Sequence, residues 1–329
     1  MKVAINGLGR IGRLVFRAAI ERREIDIVAL NSPGDADTIC HLINYDSVHG
    51  RPSFHCTASN GHLIVNNKRI PIFHQKDPSL IGWKNVDIVL ECSGKFNNKE
   101  KASGHLARNV KKIIISAPCE NADKTIILGI NDDELKPSHN IISIGSCTTN
   151  ALLPIIKVLD ENFTIENGYV TTIHSYTGDQ NIVDNSHSDL RRARSAAMSI
   201  IPTKTGASSA ISLILPKLDG KIDGSALRVP TANVSLIDFS FCTKIPMDKN
   251  LVNDAMVKAS KNHFKDIIGI AEAELVSVDF NHTNYSSIFD PFETKVISPN
   301  FARILSWYDN EWAFAQRLLD CCNLVRFMV

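Results

Sequence analysis

A glycine-rich turn near the start of the chain constrains the fold more than any other feature of the sequence. Gly7, Gly9 and Gly12 form a GxGxxG pattern between an apolar run at residues 3–6 and a helical pattern at residues 11–23. The first glycine permits the tight turn, the second allows a pyrophosphate to approach the backbone, and the third lets helix and strand pack closely. Free amide N–H groups and the helix dipole then favour phosphate. The pattern predicts a dinucleotide-binding unit.

The first 147 residues alternate short apolar runs with longer helical patterns. Further buried strands are predicted at residues 27–30, 86–90, 113–115 and 141–144. Buried strands separated by helices indicate a parallel sheet covered on both faces. Several of these runs end in small polar residues, and ligands of open α/β sheets bind just beyond such carboxyl ends. We therefore expect one ligand crevice along this edge.

The pattern changes from about residue 165. Four β-rich runs with fewer helices between them are typical of a mostly antiparallel sheet, and these are residues 169–176, 234–241, 275–280 and 303–307. A helical pattern over residues 310–324 is expected to pack back on the first part of the chain. The predicted fold class is α/β: a Rossmann-type doubly wound parallel sheet plus an α+β catalytic domain with a mostly antiparallel sheet. The predicted domains are residues 1–147 with 310–329, and residues 148–309.

Composition excludes several classes of protein. With 36 Lys+Arg against 35 Asp+Glu, the chain lacks the basic field expected of a general nucleic-acid binder. No window approaches about 18 consecutive apolar residues, which argues against a membrane-spanning helix. The eight cysteines show no CxxC spacing, and neither the Cys nor the His spacing suggests a metal site. We expect no metal, no membrane and no nucleic-acid partner, and a reducing, cytoplasmic location.

One cysteine is predicted to be reactive. Cys147 lies where a predicted strand ends and a helical run at residues 151–156 begins, with hydroxyl residues on both sides. A thiol at a helix N-terminus has its pKa lowered toward the thiolate by the helix dipole. The other seven cysteines are expected to fill the core. Cys147 is therefore the candidate nucleophile.

Sequence spacing alone does not identify the residues that act together with this thiol. His174 lies in a predicted strand, where a single histidine is more often structural than catalytic. Arg228 lies in an apolar β-rich run, where an unpaired guanidinium is costly and a bound anion would resolve the cost. Residues 191–194 contain three arginines that are either solvated surface charge or anion ligands.

Across essentially its whole length the chain resembles the phosphorylating glyceraldehyde-3-phosphate dehydrogenases. The Cys motif and the Trp-Tyr-Asp-Asn-Glu motif are together highly specific. The segments that carry the resemblance are residues 5–13, 45–50, 146–150, 174–177, 205–207, 228–231 and 306–311.

The resemblance implies a role for each matching residue. Cys147 would attack the aldehyde, and His174 would raise its nucleophilicity and act as acid and base. The C3 phosphate of the substrate would be surrounded by Thr177, Asp179, Arg192 and Arg228. The site for the attacking inorganic phosphate would be lined by Ser146, Thr148, Thr205 and Gly206. The cofactor-binding residues would be Gly7, Gly9, Arg10, Ile11, Gly12, Ser32, Ser93, Ser116 and Asn310, with Asn310 holding the nicotinamide carboxamide.

The implied reaction is the oxidation of D-glyceraldehyde 3-phosphate to 1,3-bisphosphoglycerate, in glycolysis or gluconeogenesis. A thiolate adds to the aldehyde to give a thiohemiacetal, which releases hydride to nicotinamide and leaves a thioester that phosphate cleaves. The resemblance also implies a homotetramer, in which the long polar loop at residues 177–194 lies at a subunit interface near a neighbour's cofactor.

The preference between NAD and NADP is open. The acid expected about 20 residues after the glycine motif, which binds the ribose 2′-hydroxyl, is replaced by Ser32. Asn185 and Ser186 stand where NAD-specific relatives tend to have Leu-Pro. These changes resemble relatives that accept NADP and favour dual specificity or an NADP preference. In the alternative, Asp35 or backbone atoms bind the ribose and the NAD preference is kept.

Two other functions are compatible with the sequence. Erythrose-4-phosphate dehydrogenase is the nearest alternative enzyme, but Thr177 and the pair Thr205–Gly206 favour the triose phosphate. A catalytically silent nucleotide-binding relative is the alternative from another class, because a fold by itself does not establish function.

Overall fold

The computed structural model describes all 329 residues, which form two compact units. The first unit comprises Met1–Ile126, Asp132–Ser146 and Phe314–Val329. The second comprises Ile127–Asn131 and Cys147–Ala313.

Seven α-helices and sixteen strands make up the two units. The helices are α1 (Arg10–Arg22), α2 (Ala36–Asn44), α3 (Lys99–Ala102), α4 (Cys147–Phe163), α5 (Ala207–Ile214), α6 (Lys249–Lys261) and α7 (Trp312–Val325). The first nine strands are β1 (Lys2–Asn6), β2 (Asp26–Asn31), β3 (Cys56–Ser59), β4 (His62–Val65), β5 (Lys68–Phe73), β6 (Ile88–Glu91), β7 (Lys112–Ile115), β8 (Lys124–Thr125) and β9 (Ile141–Ser143). The others are β10 (Ile165–Ser175), β11 (Ile201–Thr203), β12 (Ile222–Val229), β13 (Ser235–Thr243), β14 (Ile268–Ile270), β15 (Ser287–Ser298) and β16 (Phe301–Tyr308). None of the helices combines the length and the apolar character that crossing a membrane requires.

The sheet of the first unit is doubly wound around β1. Its strand order is β3-β4-β5-β2-β1-β6-β7-β9-β8, and every pair from β5 to β8 is parallel. The chain leaves β1 toward β2 on one side and later returns to β6 on the other, which makes the carboxyl ends of β1 and β6 the point where ligands bind in such sheets. The predicted α/β fold class is confirmed for this unit.

Four strands of this sheet, β3, β4, β5 and the two-residue β8, were not predicted from the sequence. The strands β3, β4 and β5 form an antiparallel extension joined by two-residue turns at Asn60-Gly61 and Asn66-Asn67. All four turn residues have positive φ angles, between 48° and 70°. Such turns match the right-handed twist of the flanking strands and favour asparagine and glycine.

The second unit is built on a mixed, largely antiparallel sheet, in agreement with the predicted α+β domain. Its order is β11-β12-β10-β13-β16-β15-β14, with the pairs β10–β12 and β14–β15 parallel. The β10–β12 register places His174 directly opposite Arg228. The core formed by this sheet and α4 includes Phe239 and Phe241, whose rings stack with centroids 5.0 Å apart.

One predicted strand is wrong. Residues 275–280 contain a short 3₁₀ helix, Ser277–Phe280, and no strand. The carboxylate of Asp279 accepts a hydrogen bond from the backbone N–H of Val276, 2.9 Å away. This local side-chain bond satisfies the backbone without a neighbouring strand and favours the turn.

The long loop of the second unit contains no helix or strand between Tyr176 and Ile200. Within the loop, Asp184 accepts hydrogen bonds from Arg194 and from the backbone of Ser195, at 2.9 and 2.8 Å. Several large apolar side chains of the loop are exposed, among them Leu190 at 84% and Met198 at 86%.

Candidate active site

A cavity of about 540 Å³ opens in the first unit at the carboxyl ends of β1, β2 and β6. A Cβ atom at Gly12 would lie 1.8 Å from the carbonyl oxygen of Gly7, so only glycine permits this helix–strand contact. Gly7 itself has φ +92°, and a Cβ there would collide with the Ser93 backbone at 2.5 Å. No atom lies within 4 Å of a Cβ built at Gly9, which leaves backbone that a phosphate group can approach. The cradle therefore fits a dinucleotide.

Only some of the predicted cofactor-binding residues line this cavity. Among the lining residues are the predicted Gly7, Gly9, Ser32 and Ser93. Of the predicted residues that do not line the cavity, Arg10, Ile11 and Gly12 form the first turn of α1. The Arg10 guanidinium binds the carboxylate of Asp46 at 2.5 Å. The hydroxyl of Ser116 donates to the carbonyl oxygen of Glu91, 3.0 Å away.

The cavity wall holds two cationic and no acidic side chains. Lys76 and Lys95 line it, together with Ser32 and Gln75. Asp35, the nearest acid to Ser32 along the chain, caps α2 by accepting a hydrogen bond from the backbone N–H of Thr38 at 2.8 Å. Gln75 and Lys76 were not predicted from the sequence, because they follow β5, a strand that was not predicted either.

The second unit brings Cys147 and His174 together. Cys147 is the first residue of α4, and His174 is the penultimate residue of β10. The distance from the Cys147 Sγ to the His174 Nε2 is 3.6 Å, within hydrogen-bonding range for sulfur. Because Cys147 begins the helix, its backbone N–H is not used by the helical hydrogen bonds.

The pKa of the Cys147 thiol is raised, which contradicts the lowered pKa predicted from the helix N-terminus. Burial is the largest influence and raises the pKa, while the positive charge of Arg228 and hydrogen bonds from Thr148 lower it. Burial, and then the charge of Arg228, lower the pKa of His174 to about 3. At neutral pH the pair is therefore a thiol facing a neutral imidazole.

The imidazole of His174 is oriented by its neighbours. Its Nδ1 lies 2.7 Å from the carbonyl oxygen of Ser175, to which a protonated Nδ1 donates. Arg228 Nη1 donates to the same oxygen at 2.9 Å and lies 2.7 Å from Nδ1. Nδ1 thus faces one acceptor, the Ser175 carbonyl oxygen, and one obligate donor, Arg228 Nη1, so both neutral tautomers are compatible with these contacts. The tautomer with the proton on Nδ1 turns the lone pair of Nε2 toward the sulfur, as a general base requires.

Arg228 keeps unused hydrogen-bonding capacity in this buried setting. Its Nε has no hydrogen-bond partner, and burial lowers its pKa. A buried donor without a partner is costly. An anionic ligand beside His174 would satisfy it.

Tyr308, for which no role was predicted, connects α4 and β10, the elements that carry Cys147 and His174. Its buried hydroxyl lies 2.9 Å from the Thr148 hydroxyl on α4 and 2.8 Å from the Thr172 hydroxyl on β10. Its ring packs edge-on against that of His174, with centroids 5.9 Å apart. The only signal in the sequence was its place in the Trp-Tyr-Asp-Asn-Glu motif.

The predicted phosphate-binding residues divide into two groups. Asp179 and Arg192 form an ion pair at 2.5 Å, and the Nε of Arg192 also donates to the hydroxyl of Thr203 at 3.1 Å. Thr177 is partly buried at the start of the same loop. Nothing in the sequence marked Thr203 as a partner of Arg192.

The second group lies at helix starts. The Thr205 hydroxyl accepts from the backbone N–H of Ala207 at 3.3 Å, and Gly206 caps α5. Ser146 directly precedes Cys147 at the start of α4. The Thr148 hydroxyl lies 2.9 Å from the hydroxyl of Tyr308, and the Thr148 backbone N–H lies in the first turn of α4, beside the Cys147 sulfur. Such N-termini favour phosphate.

Asn310 is also held in a defined orientation. Its Oδ1 accepts hydrogen bonds from the hydroxyls of Ser175 and Ser235, each at 2.8 Å. The side chain is 4% exposed. Its amide NH₂ is consequently the group left to donate to a carbonyl oxygen of a ligand.

No three or more His, Cys, Asp or Glu side chains are grouped so that they could hold a metal ion. All eight cysteines are free thiols.

Two family models match the chain. The model described as "Glyceraldehyde 3-phosphate dehydrogenase, NAD binding domain" matches residues 1–99. The model described as "Glyceraldehyde 3-phosphate dehydrogenase, C-terminal domain" matches residues 146–310.

Curated proteins are similar to the chain over nearly its whole length. It is 49% identical over 326 residues to the chromosomal glyceraldehyde-3-phosphate dehydrogenase of Cupriavidus necator, with 97% of each chain covered. It is 47% identical over 323 residues to glyceraldehyde-3-phosphate dehydrogenase of Geobacillus stearothermophilus, with 97% of this chain and 96% of the relative covered. It is 46% identical over 323 residues to glyceraldehyde-3-phosphate dehydrogenase 2 of Bacillus subtilis, with 97% and 95% covered.

Proposed function

The chain belongs to the glyceraldehyde-3-phosphate dehydrogenase family, and from this premise we propose that it oxidises D-glyceraldehyde 3-phosphate to 1,3-bisphosphoglycerate with a nicotinamide dinucleotide. The resemblance predicted from the sequence is confirmed. The observation that carries the proposal for this chain is the 3.6 Å distance between the Cys147 thiol and the His174 base. The reaction belongs to glycolysis and, in reverse, to gluconeogenesis.

The two units divide the work in this proposal. The first holds the dinucleotide through the backbone at Gly7 and Gly9 and through Ser32 and Ser93, and the second carries the thiol chemistry. Asn310 donates its NH₂ group to the nicotinamide carboxamide. When bound, the dinucleotide supplies the hydride acceptor that turns the thiohemiacetal into a thioester.

The chemistry of the chain's own residues begins with a proton transfer. As the Cys147 sulfur bonds to the aldehyde carbon, its proton moves to Nε2 of His174, because a buried thiolate formed beforehand is disfavoured. The oxyanion that develops accepts hydrogen bonds from the backbone N–H of Cys147 and from the newly protonated imidazole. Such donors are worth about 3–4 kcal/mol in other enzymes. The imidazolium then gives this proton to the oxyanion, which makes the hydroxyl of the thiohemiacetal and leaves His174 neutral, and His174 takes the proton back when the thiohemiacetal is oxidised.

The two groups of predicted phosphate-binding residues bind the substrate phosphate and the inorganic phosphate. Arg228 and Arg192 bind the C3 phosphate of the substrate, with Thr177 and Asp179 beside them. The partnerless Nε of Arg228 supports this assignment. Ser146, Thr148, Thr205 and Gly206 bind the inorganic phosphate that attacks the thioester, since helix N-termini favour phosphate.

For the cofactor, we propose dual specificity or a preference for NADP. An acidic side chain near the ribose would repel the 2′-phosphate, and the cavity wall has none. Lys76 supplies a positive charge, and Ser32 and Gln75 supply hydrogen bonds, while Asp35 is already used as a helix cap. Steady-state kinetics with NAD and NADP test this, and a preference of several hundredfold for NAD would contradict it.

We also propose a homotetramer in the cytoplasm. The exposed Leu190 and Met198 of the long loop are the type of surface that a partner subunit covers, and Asn185 and Ser186 are exposed on the same loop. The free thiols suit a reducing compartment. Light scattering coupled to size exclusion tests the assembly, and a monomer at micromolar concentration would contradict it.

The substrate is tested by comparing two aldehydes, glyceraldehyde 3-phosphate and erythrose 4-phosphate, each with and without inorganic phosphate. We expect phosphate-dependent turnover with the triose phosphate. Preferred, phosphate-independent oxidation of erythrose 4-phosphate would favour the alternative enzyme.

A second experiment separates an enzyme from a nucleotide-binding relative without activity. One equivalent of iodoacetamide per subunit should abolish activity, and the substrate should protect against it. Complete turnover by a fully alkylated protein would exclude Cys147 as the nucleophile.

A further inference from the structure

A buried hydrogen-bond network lies directly beneath the dinucleotide cavity and has no part in the thiol chemistry. At its centre is Glu91, the last residue of β6, which is 1% exposed. One carboxylate oxygen accepts from the backbone N–H and the hydroxyl of Ser93, at 2.7 and 2.5 Å. The other accepts from Asn6 Nδ2 at 2.5 Å and from His105 Nε2 at 3.0 Å. Four donors thus surround one buried carboxylate.

The network has a defined direction. His105, which is fully buried, receives a hydrogen bond at Nδ1 from the indole N–H of Trp83, at 3.3 Å. Because indole can only donate, Nδ1 must be the acceptor, and the proton of the neutral ring is on Nε2, facing Glu91. A series of donors therefore runs from Trp83 through His105 to Glu91.

The network ends on the wall of the cavity. Ser93 and Asn6 both line it. Asn6 Oδ1 in turn accepts from the side chain of Asn31, another lining residue, at 2.7 Å. The ends of β1, β2 and β6 are thus joined by side chains. Gly7, whose turn the pyrophosphate approaches, lies so close to Ser93 that a Cβ on Gly7 would come within 2.5 Å of the Ser93 backbone.

We propose that Glu91, oriented by His105 and Trp83, is a positioning residue that sets the affinity of the cavity for the dinucleotide. This rests on the dinucleotide binding proposed above. Glu91 does not line the cavity itself. It acts by holding Ser93 and Asn6 where the ligand meets them.

The substitution Glu91→Gln tests this most directly. It keeps the shape of the side chain but replaces one acceptor oxygen with an NH₂ group. If the NH₂ group faces Ser93, the Ser93 hydroxyl can rotate to accept from it, but the Ser93 backbone N–H loses its acceptor. If the NH₂ group faces the other way, it meets the donors of Asn6 and His105. A tautomer change of His105 would leave the indole N–H of Trp83 without an acceptor, so no local rearrangement restores all of the hydrogen bonds.

We expect Kd for NAD, measured by isothermal titration calorimetry on nucleotide-free protein, to rise by at least about tenfold. We expect kcat at saturating cofactor to stay within about twofold, and the rate of Cys147 alkylation without cofactor to be unchanged, because the thiol belongs to the other unit. Trp83→Phe removes only the first donor and should raise Kd by about threefold. Glu134→Gln, which breaks only a surface ion pair with Lys124, is the matched control and should leave Kd unchanged.

Trp83→Phe also tests the proposal if Glu91→Gln does not fold. A lowered melting temperature with wild-type Kd in both variants would overturn the proposal, since the network would then serve stability alone. If the wild type binds neither NAD nor NADP, the proposed function fails as well. If the wild type binds the dinucleotide and the variants bind it with the same Kd, only the proposed role of the Glu91 network is rejected.

Discussion

The low pKa of His174 predicts a specific dependence of stability on pH. The folded protein holds this imidazole neutral down to a pKa of about 3, against an ordinary value of 6.5. Between these values the unfolded chain binds a proton that the folded protein does not, so the free energy of unfolding decreases as pH falls below 6.5. The contribution is about 1.4 kcal/mol for each pH unit, or roughly 2 kcal/mol by pH 5.

The substitution His174→Asn removes this contribution and the catalytic base together. We expect kcat/KM to fall by about 10²–10⁴-fold. In urea denaturation between pH 7 and pH 5, the wild type should lose roughly 2 kcal/mol more unfolding free energy than the variant. The exposed His55→Asn variant controls for the loss of one imidazole.

Two results would refute this reasoning. A difference between wild type and His174→Asn that stays constant from pH 7 to pH 5 would show that the imidazole is not held neutral by burial and Arg228. A loss of kcat/KM below about tenfold would show that the thiol does not need this base.

Three further predictions concern the thiol, the bridging tyrosine and the cofactor. Cys147→Ser should lower kcat by about 10³-fold or more, since an oxygen ester lacks the reactivity of a thioester, while dinucleotide Kd stays unchanged; turnover near wild type would contradict the covalent route. Tyr308→Phe leaves the hydroxyls of Thr148 and Thr172 without their bridge and should destabilise the protein by about 1–3 kcal/mol, as chemical denaturation measures; an unchanged midpoint would show that the bridge is energetically neutral. Ser32→Asp should raise KM for NADP by about 10²-fold with little change for NAD, and equal effects on both cofactors would exclude charge repulsion as the cause.

Much of the fold followed from local patterns. The glycine motif, the parallel strands and the start of α4 at Cys147 depend on residues close together in sequence, and the structure has them where they were expected. The turns at Asn60-Gly61 and Asn66-Asn67 were equally local signals for the missed hairpins. The wrong strand at residues 275–280 shows the limit of short alternating runs, because one side-chain bond from Asp279 outweighs them.

The site was predictable only in part. Cys147 followed from its helix start, but its partnership with His174 needed the resemblance to a family, because spacing does not reveal contacts between distant residues. Tyr308 lies 160 positions from Thr148 and 136 from Thr172. Glu91 and Asn6 are separated by 85 positions. No window of sequence contains such pairs.

The amino-acid sequence alone specified the α/β class, the dinucleotide turn and the nucleophile, because glycine stereochemistry and helix starts act over a few residues. The protonation of the active-site pair depended on the folded chain. A local rule predicted a lowered thiol pKa, yet burial of the thiol in the folded chain raises its pKa, and burial keeps the imidazole of His174 neutral. Desolvation reflects everything that surrounds a group, and only the packed structure specifies those surroundings.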